Sequence, residues 1–80
     1  MTYTVVWTAT AKDQLAEIWL RATDRQAVTR ASHRADQLLR RDPESQGVDF
    51  YGDWILVEPP LQVVYSIHPD DRLVKVEEVW

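Results

Sequence analysis

Two β-rich runs near the end of the chain, Leu61–His68 and Leu73–Trp80, flank the tetrapeptide Pro69-Asp70-Asp71-Arg72. Proline fixes φ near the value that the second position of a turn takes, and Asp side chains bond their own backbone, so the tetrapeptide reads as a tight reversal. In the first run Leu61, Val63, Tyr65 and Ile67 alternate with Gln62, Val64, Ser66 and His68. That is period 2, with one strongly apolar face and one mixed face. The second run places Val74 and Val76 on one side and then shifts phase, so that Val79 follows Glu77-Glu78. Such a shift predicts a β-bulge or a strand end. A two-stranded hairpin is only marginally stable in water, so the rest of the chain has to cover this one.

Eighty residues make one small domain, spanning residues 1–80. At this size folding buries roughly 60–65% of the unfolded surface, which leaves a thin core. Four tryptophans enlarge it, each worth on the order of 200 Å² of buried area. A hydrophobic content of 45% is too high for a disordered chain. With no cysteine, disulfides and thiolate metal sites are excluded. Neither a signal peptide nor an apolar run long enough to span a bilayer is present, so a cytoplasmic protein without membrane contact is expected.

The remaining elements follow in order. Tyr3–Trp7 is a short β-rich run with Tyr3, Val5 and Trp7 on one face. Thr10 and Asp13 resemble a capping box for a helix over about Ala11–Ala22, in which Leu15, Ile18, Trp19 and Ala22 form the apolar stripe. Asp24 is a good N-cap for a second helix marked by Ala27, Ala31, Ala35, Leu38 and Leu39, whose small alanines allow close packing against the first. This helix should stop before Asp42-Pro43, because the residue before proline avoids the α region. So short a break implies an αα-hairpin. Pro43–Asp53, with both glycines, reads as a mobile loop. Trp54–Glu58 is a further strand, stopped by Pro59-Pro60. The expected fold is α+β, ordered β-α-α-β-β-β, with an antiparallel sheet covered on one face by the helical hairpin. The pattern leaves open which strand the N-terminal one joins.

Charge is unevenly spread. Residues 1–41 carry +3 and residues 42–80 carry −7, within a net −4. A nucleic-acid binder needs a basic face to displace phosphate counterions, and only the helical half can supply one. Arg30, Arg34 and Arg41 fall on one face of the second helix, either a solvated surface or a contact for an acidic partner or RNA phosphate. Lys75 is a further contact candidate, on the last strand. His33 lies among helical arginines and reads as exposed. His68 closes a strand beside Asp70, Asp71 and Arg72, either as turn surface or as a general acid or base. The two histidines are far apart, so no metal or other cofactor is expected. No phosphate-binding glycine loop and no nucleophile-elbow serine is present. Trp80 either closes the core or belongs to a partner surface.

YTVVWTATAKDQLAEIW at the start, LLRRDPESQG at the end of the second helix and PPLQVVYSIHPDDRLVKVEEVW in the final hairpin resemble the RelE/ParE toxin superfamily of bacterial type II toxin–antitoxin systems, whose members include plasmid-stabilisation proteins. The resemblance covers nearly the whole chain and implies the β-α-α-β-β-β fold. It also implies a growth-inhibiting toxin neutralised by a co-expressed antitoxin. RelE-like members act on translation as ribosome-dependent mRNA interferases, and ParE-like members inhibit DNA gyrase. In the carry-over, Gln62 stands at the family's arginine before "VVY", Asp53–Val57 holds no lysine, and the sequence reaches Trp80 without the further Arg and the aromatic or His acid. Ribonucleolytic chemistry needs cations for the phosphorane charge and an acid for the leaving oxygen. His68 and Arg72 are the residues left to supply them. The alternative is a catalytically degenerate interaction module of the same fold without toxicity. A free sheet edge also makes a homodimer conceivable.

Overall fold

The computed structural model describes residues 2–80. Strand β1 (Thr4–Trp7) leads into helices α1 (Ala9–Arg21) and α2 (Arg25–Arg41). A single short turn, α3 (Pro43–Gln46), precedes β2 (Val48–Phe50), β3 (Asp53–Glu58), β4 (Leu61–His68) and β5 (Leu73–Val79). One five-stranded sheet results, in the order β1-β5-β4-β3-β2.

Two features of the sheet depart from the sequence reading. Pro43–Asp53 is not a loop: Phe50 and Asp53 face each other across Tyr51-Gly52, so β2 and β3 form a tight hairpin. Both turn residues have positive φ (51° and 88°), as a type I′ turn requires. Tyrosine in place of the usual Asn is what hid the signal. The sheet is also mixed rather than antiparallel, because β1 pairs with β5 in parallel, with Val5 opposite Val74. The β2–β3 hairpin occupies one flank of the meander, which leaves the outer edge of β5 for β1. Burial of an edge strand looks the same in either direction, so periodicity carries no information on this point.

The phase shift in β5 is a bulge. Val64 pairs with Glu78 while Tyr65 pairs with Val76, so Glu77 is the extra residue. This keeps Val74, Val76 and Val79 all on the helix-facing side, where they join Leu61, Val63 and Tyr65 in the core. Val28, Ala31, Ala35 and Leu39 of α2 complete it, so the alanine stripe seats α2 in the core and not only against α1. Helix α2 begins where expected, with the Asp24 carboxylate accepting the Ala27 N–H at 3.0 Å. Helix α1 begins two residues earlier than the capping-box reading. Thr8 donates its N–H to the Val76 carbonyl (3.1 Å), continuing the parallel ladder. Its hydroxyl then accepts from Ala11 N (3.1 Å), so Thr8 and not Thr10 is the cap.

Tyr65 anchors the segment between helix and sheet. Its ring is fully buried and its hydroxyl donates to the Pro43 carbonyl at 2.6 Å. Burial, with the nearby Asp42 carboxylate adding to it, pushes the phenol up to about 12. Gly47 passes so close that a Cβ there would lie 2.5 Å from the Tyr65 oxygen and 2.7 Å from the Ile55 carbonyl. Among the described residues, no helix is long and apolar enough to cross a membrane.

Candidate functional site

The helices cover one face of the sheet and leave the other open. Cross-strand register assigns the open face: Val48 opposite Ile55, Ile55 opposite Val64, Val57 opposite Gln62, Val64 opposite Glu78, Ser66 opposite Lys75 and Lys75 opposite Val6. His68 and Leu73 form the last pair between β4 and β5.

Period 2 alone places Ser66 and His68 on the same side of β4, and the side chains meet, with Ser66 Oγ 3.0 Å from His68 Nε2. Lys75 stands opposite Ser66 and is exposed. Ser66, His68 and Lys75 are thus one small cluster, able to move a proton and to offer one positive charge. Arg72 is not part of it. It adopts a left-handed conformation (φ 48°) at the end of the turn. Its guanidinium lies 4.9 Å from the centroid of the Tyr3 ring and donates to the Thr2 carbonyl at 3.4 Å. Gln62 is six residues before His68, roughly 20 Å along the strand at about 3.3 Å per residue. Its backbone instead pairs with Trp80, through bonds of 2.6 and 3.0 Å. The two catalytic candidates, His68 and Arg72, thus engage different neighbours, Ser66 and Tyr3, and Gln62 lies far along the strand from both.

Cations on the open face are few. Lys75 is the basic side chain the strands place there besides His68, while Asp53 and Glu78 share the same face. A phosphorane-like transition state gathers negative charge, which a lone lysine amid carboxylates compensates poorly. Among the described residues, no group of three or more His, Cys, Asp or Glu side chains is placed to hold a metal.

The helical side is built differently. Arg34 pairs with Glu58 of β3 at 3.0 Å, and Arg30 lines the hollow beside that pair. Arg41 is exposed at the end of α2. Between α1 and α2 runs a groove in two connected parts, of about 440 and 340 Å³, that share Lys12, Leu15 and Ser32. Trp19 lines its far part, and His33 and Asp36 line its near part, where Asp36 accepts from the Trp7 indole at 3.2 Å. The α1 stripe of Leu15, Ile18 and Trp19 is thus only partly covered. Sequence periodicity identified the stripe but could not show that α2 fails to close over it.

The aromatic surface around Tyr51 escaped sequence reading entirely, because it depends on the β2–β3 hairpin. The pairing of apolar Val48 and Phe50 ahead of an X-Gly dipeptide was the available signal.

No protein-family model and no curated protein sequence matches the chain. Solved structures do match in fold. A chain of the toxin–antitoxin complex RelBE2 from Mycobacterium tuberculosis superposes with a TM-score of 0.83 at 20% identity, covering 99% of this chain and 96% of that one. The archaeal RelE–RelB complex from Pyrococcus horikoshii gives 0.74 at 16% identity, with 99% and 93% covered. The chromosomal ParDE toxin–antitoxin system of P. aeruginosa gives 0.71 at 12% identity, with 98% and 94% covered. From β1 to β5, the chain has the fold of the RelE/ParE toxin–antitoxin structures.

Proposed function

We propose that this protein is the toxin component of a bacterial toxin–antitoxin pair and that it arrests growth by contacting a protein target rather than by cutting RNA. The fold likeness to RelE and ParE structures supports the first half. The charge of the open sheet face carries the second: Lys75 and His68 stand there with Asp53 and Glu78. Cleavage of RNA would need phosphate charge neutralised at the reacting atom, and the arginine position before Val63 holds Gln62. Inhibition of a protein target such as DNA gyrase makes no such demand.

Neutralisation has a suitable surface. The groove between α1 and α2 offers Leu15 and Trp19, with Lys12 and Arg30 nearby. An amphipathic helix with acidic residues on its flanks fits that chemistry, its apolar side against Leu15 and Trp19.

Inducible expression in a bacterial host tests the reading. Growth should stop on induction and resume when the reading frame adjoining the gene is co-expressed, and the two proteins should copurify. Normal growth, with a partner still copurifying, would replace the toxin by an interaction module of the same fold.

A further inference from the structure

The hairpin tip at Tyr51-Gly52 is costly for what it gives the fold. Tyr51 holds a left-handed conformation (φ 51°) that Asn or Gly adopts with less strain, yet its side chain is 95% exposed. Its ring stands roughly perpendicular to that of Phe50, at 5.0 Å between centroids. Phe50 and Trp80 are different. Their rings approach to 6.2 Å across the open face, and Val64, which the register places on that face, is only 3% exposed. Val64 is thus shielded on the face that the helices leave open, whereas the Tyr51 side chain stands almost wholly in water. Beside them Val48 (66% exposed), Val57 (60%) and Trp80 (45%) leave apolar surface in water. Exposed apolar surface gathered at one place marks a contact site.

The charges nearby say what kind. Asp53 stands next to the tip on the open face and Glu78 lies further across it, while Asp49 of β2 pairs with Trp54 and faces the other side. No Lys, Arg or His occurs anywhere from Gly47 to Leu61. Aromatic faces bordered by carboxylates suit a guanidinium, which stacks on the rings while pairing with the acids. Strand β2 pairs only with β3, so its outer edge has backbone groups to offer an extended chain. A nucleic acid on this face would bring its phosphates against Asp53 and Glu78. A second copy pairing through β2 in antiparallel fashion, centred on Asp49, would set like charges opposite each other.

We propose that the β2–β3 tip and the adjoining open face, with Val48, Tyr51, Val57 and Trp80 bordered by Asp53 and Glu78, dock an arginine-bearing extended segment of a partner protein. The site is remote from the α1–α2 groove and does not depend on the toxin reading. The partner strand extends the sheet beyond β2, its arginine lies over Tyr51 and Trp80, and its alternate apolar side chains cover Val48 and Val57.

The test is a titration of the full ¹⁵N-labelled chain, followed by amide and indole shifts. The probe is a blocked octapeptide alternating arginine and valine, compared with versions carrying lysine or glutamate in place of arginine. Shifts should concentrate on Val48–Asp53, Glu78 and the Trp80 indole, weaken with lysine and vanish with glutamate. Tyr51→Asn, which suits the turn and leaves the core intact, should weaken arginine-peptide binding about fivefold or more. Asp53→Asn together with Glu78→Gln should do the same. Four results would each overturn the proposal: equal binding by Tyr51→Asn, shifts centred on Asp70 and Asp71, tighter binding of an RNA octanucleotide at the same amides, or concentration-dependent shifts of β2 without peptide.

Discussion

Replacing Tyr65 with Phe removes one oxygen from the interior and tests how the helical layer is joined to the sheet. The hydroxyl donates to the Pro43 carbonyl at 2.6 Å, and both residues are almost free of water contact. Its loss leaves a buried carbonyl short of a donor and a small void, together worth about 1–2 kcal/mol. For a domain of this size that corresponds to a fall in Tm of roughly 5–15 °C. A second readout is specific to the phenol. Folding raises its pKa from 10.0 to about 12, mainly by burial and further by Asp42. Because the unfolded chain loses this proton first, the native state binds more protons between those values. Stability from this group is therefore complete below pH 10 and is lost as pH rises towards 12, a change of roughly 2–3 kcal/mol. Urea unfolding of wild type and Tyr65→Phe at a series of pH values measures both effects. The wild type should be the more stable at pH 8, and its advantage should disappear between pH 10 and 12. A gap that stays constant with pH would refute the buried, proton-retaining environment assigned to Tyr65.

Other substitutions probe other joints. Gly47→Ala forces a methyl to within 2.5 Å of the Tyr65 oxygen and 2.7 Å of the Ile55 carbonyl. A loss of about 1–3 kcal/mol should appear in thermal melts. Thr8→Ala removes both the α1 cap and the hydroxyl bond to the Glu77 carbonyl (3.3 Å), so circular dichroism melts should show a loss of about 1–2 kcal/mol. Tyr51→Asn should stabilise the fold by roughly 0.5–1 kcal/mol in the same assay, since Asn tolerates the positive φ better. Unchanged stability in that variant would mean that the tip is unstrained.

Much of the fold was legible because it rests on local signals. Alternation in Leu61–Ile67 marked the strand whose apolar side the helices cover, the phase shift at Glu77-Glu78 marked the bulge, and Asp24 marked the start of α2. Pairing between distant segments was harder to read. The parallel docking of β1 on β5 has no period of its own, and it moved the α1 cap from Thr10 to Thr8 by fixing Thr8 against Val76. The type I′ turn was hidden by a tyrosine at an αL position, an unfavourable choice that local rules do not anticipate. The site divides in the same way. Ser66 and His68 meet because period 2 demands it, whereas Arg72 turns to Tyr3 through a contact between chain ends that sequence spacing cannot reveal.

Whether RNA is cut separates a toxin that binds a protein target from a nuclease. Induction in a bacterial host, followed by genome-wide mapping of new mRNA 5′ ends, measures this directly, with His68→Ala and Lys75→Ala run in parallel. Growth arrest with intact mRNA, the same in both variants, is the expected result. Codon-phased cleavage of translated messages that disappears in either variant would restore a nuclease to the open sheet face.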